Sequence, residues 1–141
     1  LHGGLPTLSR VPLLLSGDMP RPTKTLSVPA NSALAEVLWN DPDDAGRHSP
    51  RLDAEITGRR RFTKNDTDAF LRANGLQLLV RSHEAVRDGL AVAHDGRVVT
   101  VFSAPGYGGG YVQDASFLTV GAAGTYEREV IRRADCAVPF V

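Results

Sequence analysis

Lysine is nearly missing from this chain: of its 16 basic residues, only Lys24 and Lys64 are not arginine. Cysteine is reduced to one, Cys136, which excludes an internal disulfide and fits a reducing compartment. Net charge is absent, with 16 basic residues against 16 acidic ones, so no overall field draws the chain to nucleic acid or to a membrane surface. No apolar run approaches the roughly 20 residues needed to cross a bilayer, and Val11-Pro12-Leu13-Leu14-Leu15 is too short for the core of a secretion signal. Repeats and low-complexity tracts are also lacking. A soluble, globular, cytoplasmic chain is expected, with its 141 residues forming one domain with a sizeable core. Position 1 is leucine rather than methionine, and the expectation is that an N-terminal part is missing. The arginine bias suits phosphate, because a guanidinium grips an oxyanion with two parallel donors.

Residues 3–30 carry Pro6, Pro12, Pro20, Pro22 and Pro29, which forbid long regular elements. A short helix is expected over Asn31–Trp39, capped by Asn31 or Ser32, with Leu34 and Leu38 turned inward and Val37 the further candidate. Residues 40–61 are polar and read as a surface loop. Thr63 followed three positions later by Asp66 predicts a helix start, and Asn74-Gly75 predicts its left-handed stop, with Phe70 and Leu71 on the apolar side. The run Leu76-Gln77-Leu78-Leu79-Val80 predicts a strand covered on both faces. Two β-rich runs around Asp95-Gly96 predict a hairpin, with His94 as an exposed turn residue. Phe117–Val120 and Tyr126–Ile131 predict two more strands across a glycine-rich turn. The total is two short helices and about five strands, a mixed α/β chain with antiparallel pairing toward its C-terminal end.

Few residues offer chemistry. His83 follows the expected buried strand by two positions, where a rigid scaffold can aim an imidazole into a crevice, although taken alone it reads as a structural histidine. His2 precedes Gly3-Gly4, whose missing Cβ atoms permit close approach of backbone and ligand. Neutral imidazoles are ligands for transition metals, and the two lie far apart in sequence, as ligands converging on one ion do. Arg59-Arg60-Arg61 reads either as a phosphate contact or as a solvated charge run. Tyr107 lies in a glycine-rich loop after a strand, where it can cover a pocket. His48 reads as solvated loop.

Taken in order, His2-Gly3-Gly4-Leu5, Leu38-Trp39-Asn40-Asp41-Pro42, Phe70-Leu71 through Asn74-Gly75-Leu76, Arg81-Ser82-His83-Glu84 and Val101-Phe102-Ser103-Ala104-Pro105-Gly106-Tyr107 form a pattern. Its order and spacing resemble the C-terminal half of the serine/threonine phosphoprotein phosphatases, within the calcineurin-like metallophosphoesterases. The resemblance implies a mixed β-sheet portion of that family's α/β sandwich, flanked by short helices, with residues 1–141 forming the C-terminal part of a single domain. It implies that His2 and His83 share one metal of a dinuclear site holding two manganese, iron or zinc ions. Arg81 and Tyr107 take catalytic positions, Asp41 falls in the tryptophan-containing loop beside the cleft, and Arg59 or Arg60 are the candidates for binding phosphate. The implied reaction is hydrolysis of phosphoserine or phosphothreonine by metal-activated water. The implied partners are a phosphoprotein substrate and a regulatory protein.

The chain also departs from the pattern. The family's aspartate, asparagine and proton-donating histidine motifs have no counterpart, Gly106 replaces an asparagine, and Gln113-Asp114-Ala115 replaces an asparagine- and glycine-containing turn. These departures motivate two expectations: that the chain alone is inactive, and, as an alternative, that it is a catalytically inactive relative serving as a protein-binding module. A nucleotide-directed metallophosphoesterase is a third reading, less consistent with the loop around Tyr107.

Overall fold

A computed structural model describes residues 1–6, 28, 32–43, 60–107, 113–122 and 125–135. The first described helix is α1 (Ala33–Trp39), and Ser32 caps it by accepting from the Ala35 amide at 3.1 Å. Asn31, the other candidate cap, lies outside the described residues. Val37 is its buried residue, while Leu34 and Leu38 are only half-buried. The short helix meets the rest of the chain through its C-terminal turn, where the Val37 carbonyl accepts from the Gly3 amide at 2.9 Å.

Two-residue strands β1 (Asp41–Pro42) and β2 (Arg61–Phe62) pair in parallel, Asp41 beside Arg61. The reading of 40–61 as surface loop is therefore corrected at both ends. Asn40 and Asp41 are buried, the first because its amide donates to the Leu5 carbonyl at 2.8 Å, the second because it faces a buried arginine.

Helix α2 (Lys64–Ala73) starts in a capping box, with Thr63 and Asp66 each satisfying the other's orphan amide. It ends with Gly75 at φ 62°, the Gly75 amide on the Arg72 carbonyl and the Leu76 amide on the Leu71 carbonyl. That pair of bonds is a Schellman stop, and it draws Leu76 into the helix terminus. The strand expected from Leu76 accordingly begins later, as β3 (Leu79–Arg81), and Leu76 is exposed. Leu79 and Arg81 are buried and Val80 half-buried.

The hairpin forms as expected, β4 (Leu90–Ala93) antiparallel to β5 (Val98–Val101). Strand β5 is central, since β3 pairs with its other edge in parallel, Arg81 beside Thr100. Strands β6 (Ala115–Val120) and β7 (Tyr126–Ile131) form a separate antiparallel pair, joined to the first sheet where the Ser116 amide donates to the Phe102 carbonyl at 2.8 Å. Leu5, Phe62, Phe70, Leu71, Leu79 and Val98 make the core between α2 and the β3-β5-β4 sheet. No described helix is long and apolar enough to cross a membrane.

His94 is the clearest correction. It is 8% exposed rather than solvated. Its Nδ1 lies 2.8 Å from the Thr67 hydroxyl, its Nε2 lies 3.0 Å from the Asp43 carbonyl, and its ring meets Phe62 edge-on at 5.6 Å. The carbonyl can only accept, so Nε2 carries the proton and Nδ1 accepts from Thr67. The hairpin signal was local, and these partners lie on α2 and at the end of β1.

Candidate active site

Three parts of the chain converge where β3 ends. The segment from Leu1 to Gly3 runs beside it, with the Ser82 amide donating to the His2 carbonyl at 3.0 Å. The C-terminal end of α1 lies across the same segment. A Cβ on Gly3 would come within 2.5 Å of the Leu38 backbone, and one on Gly4 within 2.1 Å of the Phe62 ring. The two glycines are therefore required by packing; they let helix, strand and N-terminal segment meet without intervening side chains.

The result brings together residues from distant positions. The rings of His2 and His83 have centroids 5.2 Å apart at an interplanar angle of 66°, and the Trp39 indole stands edge-on to His83 at 5.1 Å. His2 is exposed, His83 half-buried, and Trp39 is 44% exposed, so the cluster opens to the surface. His83 holds φ at 76°, a left-handed backbone uncommon for a residue with a Cβ and concentrated at functional sites.

Arg81 lies beneath, 1% exposed. Its Nε donates to the Gly3 carbonyl, Nη2 to Asp41 at 2.6 Å, and Nη1 to Glu84 at 2.6 Å and to the Thr100 hydroxyl at 3.3 Å. A buried guanidinium needs such partners, because desolvating a charge without them is costly. Burial pushes the Glu84 carboxyl above its ordinary range and the Asp41 charge adds to this, while Arg81 pulls it down. Sequence reasoning singled out Arg81 and Asp41 but missed Thr100 and the Gly3 carbonyl as acceptors. Glu84, three residues after Arg81 and of opposite charge, was the one visible hint of a pair across His83.

The loop after β5 leaves from the same sheet end as His83, because β3 and β5 run parallel. Tyr107 is 61% exposed there, its ring edge-on to Phe102 at 5.4 Å. The departures from the family pattern fasten this loop at its base. The Gly106 amide donates to the Gln113 carbonyl at 3.1 Å, and the buried Gln113 side chain reaches the Tyr107 carbonyl at 3.4 Å. Arg60 is exposed just before β2, while Arg59 lies outside the described residues. Among the described residues, no group of three or more histidine, cysteine, aspartate or glutamate side chains is placed to hold a metal.

The mixed sheets and the two described α-helices have the calcineurin-like α/β fold of a solved relative. A solved protein serine/threonine phosphatase from Saccharomyces cerevisiae, described as similar to human phosphatase PP5, matches the whole chain with TM-score 0.70 and 29% identity, and 44% of that chain is covered. No family model matches the chain. Sequence relatives include serine/threonine-protein phosphatase T of Trypanosoma brucei brucei, 36% identical over 76% of this chain and 22% of the relative. A probable serine/threonine-protein phosphatase of Encephalitozoon cuniculi is 42% identical over 77% of this chain and 22% of its own length. The catalytic subunit of serine/threonine-protein phosphatase 4 from Eremothecium gossypii is 37% identical, with 76% of this chain and 32% of the relative aligned. The chain belongs to the serine/threonine protein phosphatase family, of which it matches a segment, spanning between about a fifth and a third of these relatives' lengths.

Proposed function

We propose that this chain supplies one part of the active site of a metal-dependent phosphatase acting on phosphoserine and phosphothreonine in proteins, as the C-terminal part of its single domain. The observation that carries the reading is the approach of His2 and His83. With metal–nitrogen bonds of about 2.0–2.1 Å, two imidazoles on one ion have ring centres roughly 4.5–5.5 Å apart, and their 5.2 Å separation falls within that span. The donor chemistry fits as well, since imidazole suits iron and zinc, while manganese leans more on oxygen ligands.

His2 and His83 would hold one ion of a pair. When bound, the metals would supply a water nucleophile whose pKa is brought far down from that of bulk water, to about 7. The chain's own residues do the rest of their share by placement. His83 is offered from the rigid end of β3, Trp39 shields one side of its ring, and Tyr107 stands on the neighbouring loop where it can cover a bound phosphate. Arg60, exposed just before β2, and its sequence neighbour Arg59 are the cations that this reading assigns to phosphate oxygens. Two imidazoles alone bind metal weakly, because a preformed site with carboxylates supplies most of the affinity.

The test has two arms. Manganese added to the 141-residue chain should broaden the His2 and His83 imidazole NMR signals together, and absence of broadening would refute a shared ion. Hydrolysis of a phosphoserine peptide by the same chain with manganese should stay at background, and robust turnover would refute the partial site. Broadening absent from both rings is the outcome expected of an inactive, protein-binding relative.

A further inference from the structure

We propose that Arg81 is a positioning residue: it sets the separation of the two imidazoles by fastening the chain next to each, through the Gly3 carbonyl and the Glu84 carboxylate, and it does not contact substrate. Its Nε reaches the carbonyl of Gly3, the residue after His2, and its Nη1 reaches Glu84, the residue after His83. The same guanidinium ties in strand β1, two residues after Trp39, through Asp41 and the central strand through Thr100. One planar group thus joins four segments, two of which carry His2 and His83 themselves. Phosphate could replace one of these acceptors only by opening a site that is 1% exposed.

The backbone of His83 gives this fastening a purpose. A residue with a Cβ stays at φ 76° only when its surroundings over-determine it. The Arg81–Glu84 pair spans Ser82 and His83 and closes that turn from outside at 2.6 Å. A planar fork with five fixed donors suits a junction of this kind, and an ammonium on a flexible stem does not.

The consequence for metal affinity rests on the proposed function, whereas the consequence for ring placement does not, so the two are measured apart. Arg81→Lys and Glu84→Gln are made in the 141-residue chain, and folding is verified by far-UV circular dichroism. The metal-free readouts are the nuclear Overhauser contact between the His2 and His83 rings and the emission of Trp39, the only tryptophan. The metal readout is a cobalt titration. Both variants should lose the ring contact and shift Trp39 emission, and cobalt affinity should fall about 10-fold or more, the usual effect of removing a group that orients metal ligands. Should Arg81→Lys fail to fold, Glu84→Gln decides, because Glu84 is partly exposed and its loss removes only the closure across His83. A folded variant with wild-type ring contact and wild-type cobalt affinity overturns the proposal. Loss of ring contact in the variants of a chain that never binds cobalt supports the positioning role and refutes the metal site.

Discussion

The two ends of the β3-β5-β4 sheet each carry a histidine in a left-handed backbone, His83 at φ 76° and His94 at φ 51°, and they differ in almost everything else. Both nitrogens of His94 are matched to protein groups, Thr67 and the Asp43 carbonyl, and its ring is shut behind Phe62. His83 instead faces a second imidazole and an indole at a surface opening, with the ion pairs placed behind it. The first arrangement fixes a tautomer and joins α2 to the hairpin. The second gathers two imidazoles at the surface and spends the Arg81 hydrogen bonds on the chain beside them. A positive φ marks both corners, so strain alone does not distinguish an enclosed histidine from one in an open cluster; the company of its ring does.

Asparagine tolerates the left-handed region, so exchanging each histidine for it isolates the ring. His83→Asn should have the largest effect, abolishing the manganese-induced broadening of His2, while thermal unfolding shifts little. His94→Asn should do the reverse. It leaves a buried hydroxyl and carbonyl without their partner, costing about 1–3 kcal/mol, read as a lower denaturation midpoint with manganese broadening unchanged. If His94→Asn weakens metal binding as much as His83→Asn does, the contrast between the corners is wrong.

The smallest effect is a pH dependence at the closed corner. Lys64 bonds Asp68 at 2.9 Å and Arg97 approaches its other oxygen at 3.1 Å. The hydrogen bond from Lys64 is the main reason the Asp68 carboxyl is held below its ordinary range, with the Arg97 and Lys64 charges adding to it. A carboxyl with a lower pKa folded than unfolded stabilises fully above the unfolded value and loses that contribution as pH falls through the folded one. Unfolding midpoints measured downward from about pH 5 should therefore fall less steeply in Asp68→Asn than in wild type. The difference should be slight, since Lys64 is half-exposed and such pairs contribute little.

Signals confined to a few neighbouring residues were legible in the sequence. Thr63 with Asp66, Asn74-Gly75, Asp95-Gly96 and Gly121 each fixed an element or its end through backbone chemistry that acts over three or four positions. The same locality explains the errors. Leu76 counted as strand because its hydrophobicity was visible and its amide bond to Leu71 was not. His94 read as exposed because Thr67 and Asp43 are remote in sequence. The polar stretch after Trp39 read as loop because the charge that buries Asp41 belongs to Arg81, on another strand. Arg81 itself was legible as important through the family pattern, but four acceptors on four segments have no sequence period. At the site, the two histidines were legible for the opposite reason: a motif carries its spatial arrangement with it even when the residues are far apart.

The parallel pairing of β3 with β5 has one further consequence. It delivers two loops to a single rim while rooting them on separate strands, so the stretch from Ser103 onward can be lengthened, shortened or recoloured without disturbing the footing of His83. On the proposed function, selectivity among targets can then drift along one rope while the histidine corner stays moored by the other.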